Sequence, residues 1–217
     1  MLVIFDLDGT LIDSRIDLAN STNEVLVGYG AQPRPVDRIA AMVGEGARTL
    51  VQRALVDAAV DAPIDDALER FHVAYDRRLL EHTVLYAGIS DVVRAAANLG
   101  RVALLTNKPE APARRLLEAF DLLAPFMSVI GGDSGFPRKP DPTAVQHLIT
   151  TAGAAPAETL FVGDSEVDVQ TARRAGVRMC VARYGFGHLR GDLNVGAGDF
   201  VAETPAAVGR IIEAFAS

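Results

Sequence analysis

The sequence predicts an α/β protein: a doubly wound parallel (Rossmann-like) sheet into which an all-helical segment is inserted. From residue 84 to the end of the chain, short apolar runs alternate with helical patterns, which is the order of βαβ units in a parallel sheet. Residues 15 to 82 lack strand-like runs and show helical periodicity instead. A chain of 217 residues is long enough for one domain that carries an inserted subdomain.

Five apolar runs are predicted to be buried strands, because each is continuous and ends at small or polar residues. They are 2–6, 102–105, 126–130, 160–162 and 179–181. Helices are predicted between them: from a Ser90 cap to Leu99, from Pro109 to Phe120, from Asp141 and Pro142 to about Thr151, and over 166–175 before Gly176.

The inserted segment is predicted to form a second unit over the sheet. Five apolar residues spaced four, three, four and four apart fall on one helix face: Ile64, Leu68, Phe71, Tyr75 and Leu79. The predicted division is therefore 1–14 and 83–217 for the core and 15–82 for the insert. A unit tethered by two linkers beside the first strand can act as a lid, although a helical subdomain without a role at the site is the alternative.

Charge and composition exclude several classes of protein. The 28 acidic and 21 basic residues give a net charge of −7 with no basic run, so nucleic-acid binding is not expected. No apolar run approaches the roughly 18 residues of a membrane span, and two aspartates interrupt the first ten residues, unlike a signal peptide. The single cysteine, Cys180, forms no intrachain disulfide and suits a reducing compartment. We expect a cytoplasmic monomer or homodimer that does not bind membranes.

Small and polar residues follow the ends of the predicted strands, which is where open parallel sheets bind ligands. They are Asp6, Asp8, Gly9 and Thr10 after the first strand, Thr106 and Asn107 after the second, Lys139 after the third, and Asp164 and Asp168 after the fourth. So many carboxylates would raise one another's pKa unless a cation lay among them. Oxygen ligands without a nearby histidine pair or cysteine favour Mg²⁺ over zinc.

The same residue types predict phosphoryl transfer. Asp6 and Asp164 are the strongest candidates for direct metal ligands, and Asp168 is expected to hold a metal-bound water or to orient Lys139. A carboxylate beside Mg²⁺ can attack phosphorus, so Asp6 is the candidate nucleophile. Asp8, two residues on, can protonate the leaving oxygen and later deprotonate water.

Phosphate binding is assigned to two further residues. Thr106 and Lys139 would bind the transferring phosphoryl oxygens, and Asn107 would lie at the edge of the substrate. Of the 21 cationic residues, Lys108 and Lys139 are the two lysines, and the others are arginines. An ammonium is a compact point charge and a guanidinium is a planar fork, so a retained lysine suggests a site that needs the former. For Lys108, chance is an equally open explanation.

Four short motifs, DLDGT, the strand-end TN, KPDP and GDSEVD, occur in this order and together resemble those of the haloacid dehalogenase superfamily of Mg²⁺-dependent aspartyl-phosphate enzymes. The resemblance covers the whole chain, and the position of the insert is similar to that in members with a small helical cap. It implies that Asp6 is the nucleophile and Asp8 the acid and base. It also implies the remaining roles: Thr106 and Lys139 as phosphate binders, Asp164 and the backbone carbonyl of Asp8 as metal ligands, and Asp168 as the second acid of the fourth motif.

Other stretches narrow the subgroup. VGEGARTLVQRAL, TNKP, VIGGD and YGFGH resemble segments of bacterial phosphoglycolate phosphatases, which makes 2-phosphoglycolate the first expected substrate. In that family the cap loop helps to select the substrate, so Gly44, Glu45, Gly46 and Arg48 become candidate substrate contacts. Glu45 stands where the pattern often has asparagine. The sequence leaves open whether Glu45 and Arg48 face the site, and the two glycines also fit a turn between helices.

Other functions remain open at this level. Within the same fold, a phosphatase for a sugar phosphate or pyrophosphate and a phosphoglucomutase-like phosphotransferase fit the core motifs. Halide displacement needs no acid for the leaving group, so Asp8 disfavours a dehalogenase. A phospho-accepting signalling domain shares these residue types but usually lacks an insert, and the intact motifs disfavour a catalytically silent binding module.

Overall fold

The computed structural model describes residues 1–191 and 193–217. Its strands are β1 (Leu2–Phe5), β2 (Ile12–Asp13), β3 (Val84–Leu85), β4 (Arg101–Leu105), β5 (Phe126–Ile130), β6 (Thr159–Gly163), β7 (Arg178–Ala182) and β8 (Phe200–Ala202). In the described residues, six of them form one parallel sheet in the order β5-β4-β1-β6-β7-β8. The predicted doubly wound α/β fold is confirmed.

The helices complete the alternation with the strands. They are α1 (Arg15–Gly28), α2 (Val36–Ala40), α3 (Ala47–Asp57), α4 (Ile64–Arg78), α5 (Ile89–Leu99), α6 (Glu110–Ala119), α7 (Thr143–Ala152), α8 (Glu166–Ala175) and α9 (Pro205–Phe215), with short 3₁₀ turns at Pro156–Glu158 and Gly187–Arg190. Within the described part of the chain, none is long and apolar enough to cross a membrane.

The central strand shows how the sheet is covered on both faces. Successive side chains of a strand point to opposite faces, and all four residues of β1 are fully buried. Val3 and Phe5 pack in a cluster that includes α5, α6 and α9, whereas Leu2 and Ile4 pack with α7 and α8. The first of these clusters continues into the helices of the insert. Burial on both faces explains why this strand is a continuous apolar run.

Three elements, α5, β8 and α9, differ from the sequence-based prediction. Helix α5 begins at Ile89, and Gly88 precedes it with a φ of +82°, so Ser90 lies in the first turn and does not cap the helix. The sheet also has a sixth strand, β8, and a following helix, α9, that were not predicted. β8 has three residues, too few to show a period, and α9 starts at Pro205 after Thr204, whose Oγ1 accepts a hydrogen bond from the Ala207 amide.

The insert consists of helices and is joined to the sheet by paired linkers. Among the described elements, those between residues 15 and 78 are α1 to α4, with no strand. β2 and β3 pair antiparallel in the two linkers, with Ile12 opposite Leu85. The buried carboxylate of Asp17, in α1, accepts hydrogen bonds from the amides of His82 and Thr83 at 2.9 and 2.8 Å. The chain therefore leaves and re-enters the core at one place, held by this carboxylate.

Candidate active site

A cavity of about 680 Å³ lies between the carboxyl ends of the central strands and the insert. Asp6, Asp8 and Asp164 line it from the sheet side, as do Thr106 and Asn107. The insert contributes residues of α4 and the loop before α3. The structure therefore brings the predicted strand-end residues of β1, β4 and β6 to a single space.

Lys139 joins two of the carboxylates. Its Nζ lies 2.8 Å from Asp6 Oδ1 and 2.6 Å from Asp168 Oδ1, and the lysine is 5% exposed. Burial acts to lower the pKa of Lys139, but the charges of Asp168 and Asp6 outweigh burial and raise it. The ammonium therefore stays protonated beside Asp6, where it can attract an anion.

Asp168 is fixed by its own helix. Its Oδ2 accepts hydrogen bonds from the amide and hydroxyl of Ser165 at 3.0 and 2.6 Å, which forms a capping box at the start of α8. Its Oδ1 receives the Lys139 ammonium. Of the two roles expected for Asp168, the structure shows the contact that orients Lys139.

Asp164 is held by the loop that follows β7. Its Oδ2 accepts hydrogen bonds from the Phe186 and Gly187 amides at 3.0 and 2.7 Å. These amides belong to the YGFGH segment. The segment therefore wraps the Asp164 carboxylate, a role that the sequence pattern did not reveal.

The carboxylates fit a divalent cation. One oxygen from each of Asp6, Asp164 and Asp168 lies within 4.8 Å of the others. Burial and the nearby charge of Asp168 raise the pKa of Asp6 to about 7, and burial with the charges of Asp168 and Asp6 raises the pKa of Asp164. Hard oxygen donors that disfavour one another's ionisation are what a divalent metal would stabilise. The arrangement can thus present a carboxylate nucleophile, a cation and a metal to a phosphate.

Asp8 is turned towards a lysine. Lys108 Nζ donates to both Asp8 carboxylate oxygens, at 2.9 and 2.8 Å, and Ser14 Oγ donates to Asp8 Oδ1 at 2.6 Å. Lys108 is 7% exposed and lines the cavity. Lys108 and Ser14 were not among the predicted site residues. The scarcity of lysine was the sequence feature that pointed to Lys108, and nothing in the sequence pointed to Ser14.

Asn107 connects the insert to the lysine loop. Its Nδ2 donates to the carbonyls of Gly44 and Lys139, both at 3.0 Å, and its Oδ1 accepts from the Lys139 amide at 2.9 Å. These contacts occupy the side-chain amide on both sides. Thr106 lies beside it, is 3% exposed and lines the cavity. Asn107 therefore fixes the backbone that carries Lys139 and holds the loop of the insert.

Gly9 and Thr10 lie behind the cavity and do not line it. Gly9 has a φ of +86°, and a Cβ built there would be 2.0 Å from Asp164 Oδ2. Thr10 is fully buried, and its carbonyl accepts a hydrogen bond from the Tyr184 hydroxyl at 2.9 Å. Both residues shape the turn between Asp8 and β2; the structure shows neither as a surface open to substrate.

Two of the four candidates in the insert loop line the cavity. Gly44 and Gly46 do, with φ values of +124° and +88°. Glu45 instead pairs with Arg53 at 2.7 Å and Arg190 at 2.6 Å. Burial acts to raise the pKa of Glu45, but its hydrogen bonds to the two arginines outweigh burial and lower it.

Arg48 is exposed and pairs with Asp65. Neither Glu45 nor Arg48 lines the cavity. The charge of Glu45 is therefore directed to arginines, and the structure does not bring Arg48 to the site.

Comparisons with known proteins identify the family to which the chain is similar. The profile of a family described as haloacid dehalogenase-like hydrolase matches residues 3–182. A phosphoglycolate phosphatase from Pseudomonas putida is 42% identical over 194 residues, which are 87% of this chain and 71% of that protein. One from Rhodospirillum rubrum is 41% identical over 192 residues, which are 85% of this chain and 80% of that protein.

Solved structures give the same result for the fold. A crystal structure described as a predicted phosphoglycolate phosphatase from Haemophilus somnus superposes with a TM-score of 0.88. It is 29% identical in sequence, and the match covers 97% of this chain and 96% of that one. The similarity therefore extends over the sheet and the insert together.

Proposed function

This chain belongs to the haloacid dehalogenase-like hydrolase family, and from that premise we propose that it is a Mg²⁺-dependent phosphomonoesterase that acts through an aspartyl phosphate. The observation that carries the proposal is the contact of one buried ammonium, Lys139, with both Asp6, which lines the cavity, and Asp168. A carboxylate nucleophile, a fixed cation and a metal ion at one point fit the attack on a phosphate monoester.

In the first step, a carboxylate oxygen of Asp6 attacks phosphorus, and the ester oxygen leaves with a proton from Asp8. The P–O bond to the leaving group breaks as the bond to Asp6 forms. Lys139 and the Thr106 hydroxyl hold the phosphoryl oxygens, which gain charge in the transition state. In the second step, Asp8 takes a proton from water, and the water oxygen displaces Asp6 to release phosphate.

Asp6, the Asp8 carbonyl and Asp164 are the proposed ligands of Mg²⁺, with Asp168 close by. Oxygen donors and the raised pKa values of Asp6 and Asp164 support this assignment. When bound, the ion would reduce the electrostatic repulsion between two anions, the Asp6 carboxylate and the phosphate ester. The protein itself aligns Asp6 through Lys139 and Asp164 through the Phe186 and Gly187 amides.

We further propose 2-phosphoglycolate as the substrate and residues 15–82 as a cap that covers it. The curated relatives named phosphoglycolate phosphatase support the first assignment. The hydrogen bond from Asn107 to Gly44 and the pair of Arg190 with Glu45 support the second, because both join the insert to the core beside the cavity. A cytoplasmic location and a monomeric or dimeric state remain predictions from the sequence.

Phosphate release from 2-phosphoglycolate, measured with Mg²⁺ and with a chelator, tests the proposal. We expect turnover that needs the ion and is abolished in Asp6→Asn, which keeps the side-chain volume and removes the nucleophile. A substrate-dependent mass increase of one phosphoryl group on wild-type protein, absent in Asp6→Asn, would identify the intermediate. Metal-independent turnover or an active Asp6→Asn variant would contradict the mechanism.

A further inference from the structure

The Tyr75 hydroxyl is a buried polar group whose O–H has no acceptor among the described residues. Tyr75 lies on α4 of the insert, is 7% exposed and lines the cavity. Burial raises the pKa of Tyr75 to about 12, so the hydroxyl keeps its proton and can donate it. Buried hydroxyls are nearly always paired. This one therefore points to a bound group that the protein does not supply.

The ammonium of Lys108 lies 4.7 Å from the centroid of the Tyr75 ring. An ammonium has three N–H donors, and the contacts of Lys108 Nζ at 2.9 and 2.8 Å both lead to the single carboxylate of Asp8. A buried ammonium and an O–H donor without an acceptor thus meet at one wall of the cavity.

The contact between Lys108 and Asp8 places this wall of the cavity close to the leaving group of the substrate. If Asp8 protonates the leaving oxygen, that oxygen lies within hydrogen-bond reach of the Asp8 carboxylate. Lys108 Nζ lies within 2.9 Å of the same carboxylate. In an ester such as 2-phosphoglycolate, one CH₂ separates the ester oxygen from the carboxylate carbon, a span of about 2.5 Å. The carboxylate of such a substrate therefore lies within reach of the Lys108 ammonium.

We propose that Lys108 and Tyr75 form the binding site for a carboxylate of the leaving group that is attached directly to the carbon bearing the ester oxygen. The proposal rests on the phosphatase function proposed above and adds the residues that select the substrate. A carboxylate would accept a charge-assisted N⁺–H bond from Lys108 and an O–H bond from Tyr75. A neutral alkyl group would leave both donors unmatched in a buried place, and such sites discriminate strongly against the analogue that lacks the polar group.

Ethyl phosphate is the matched probe, because it carries a methyl group where 2-phosphoglycolate carries the carboxylate. The readout is the ratio of kcat/KM for 2-phosphoglycolate to kcat/KM for ethyl phosphate, measured with Mg²⁺. We expect this ratio to fall about 10²-fold in Lys108→Met and about fivefold in Tyr75→Phe. Tyr29→Phe is the control, since it removes a hydroxyl of the same insert that bonds to Asp66 instead. It should keep the wild-type ratio.

A purely structural role of Lys108, through its contact with Asp8, would change the rates of both esters alike and leave the ratio unchanged. A ratio within about twofold of wild type in both Lys108→Met and Tyr75→Phe therefore overturns the inference. If Lys108→Met fails to fold, the ratio in Tyr75→Phe decides alone. If wild-type protein releases phosphate from neither ester with Mg²⁺, the proposed function is overturned instead.

Discussion

Gly9 and Asp164 lie so close together that a Cβ at position 9 would stand 2.0 Å from Asp164 Oδ2. Gly9 belongs to the loop after β1, and Asp164 follows β6, the neighbouring strand. The positive φ of Gly9, +86°, gives a second reason for glycine. The turn after the proposed nucleophile, Asp6, and the position of a proposed metal ligand, Asp164, therefore both require that residue 9 has no side chain.

Gly9→Ala should lower the free energy of unfolding by more than about 2 kcal/mol and weaken Mg²⁺ binding, because the new methyl displaces Asp164. Gly30→Ala is the matched control, since Gly30 has a φ of +81° but nothing within 4 Å of a Cβ. It should cost only the backbone strain, about 1 kcal/mol. Urea unfolding with and without Mg²⁺ measures both. If both variants lost the same free energy of unfolding, the Asp164 side chain could move away from the new methyl group without destabilising the protein, which would contradict the prediction.

The metal-free protein should lose stability as the pH rises from about 4 to 7. The pKa of Asp6 is raised to about 7 from an ordinary value of 3.8, so in this range the folded state binds a proton that the unfolded state has released. The free energy of unfolding must then decrease with pH. Urea unfolding in a chelator measures this slope, which Asp6→Asn should reduce and Asp61→Asn, at an exposed acid, should preserve. A slope unchanged by Asp6→Asn would contradict the raised pKa.

Lys139→Arg should reduce kcat/KM by roughly 10²-fold or more although the charge is kept. The Lys139 side chain is 2% exposed, and its Nζ fits between Asp6 and Asp168 at 2.8 and 2.6 Å. A larger planar guanidinium cannot occupy that space without moving a carboxylate. Arg210→Lys, a reverse exchange at an exposed position, should leave the rate unchanged. Steady-state kinetics on 2-phosphoglycolate decide, and a near-normal rate for Lys139→Arg would remove the need for a compact ammonium.

Glu45→Gln should raise KM about two- to fivefold for 2-phosphoglycolate and ethyl phosphate alike, without changing their order. Glu45 pairs with Arg53 and with Arg190 of the core, so removing its charge weakens the contact between the insert and the core. Because Glu45 does not line the cavity, its charge does not repel the substrate there. Arg190→Met should have the same effect, and the double variant should add little to it. A selective gain on 2-phosphoglycolate would instead place the Glu45 charge against the substrate.

The strand-end residues were predictable because periodicity locates the strands and a parallel sheet gathers their carboxyl ends at one edge. Asp6, Thr106 and Asp164 follow from that rule alone. The partners of Glu45 did not follow, because Arg190 lies 145 residues away in the chain and the pair depends on how the insert rests on the core.

Tyr75 shows a different limit of sequence-based prediction. Its spacing correctly placed it on the buried face of α4. Periodicity, however, describes a whole side chain and cannot show that the ring packs against Phe71 while the hydroxyl is left unpaired beside the cavity.

Because β2 pairs antiparallel with β3, the whole insert connects these two strands as a loop connects the strands of a β-hairpin. Asp13 and Val84 are partners in that pair, so about 5 Å separates the two points at which the insert begins and ends. When the two ends of an inserted segment lie this close together, the segment can be replaced by another without distorting the fold that carries it. The sequence of the helical insert can therefore vary independently of the sheet that carries Asp6, Lys139 and Asp164.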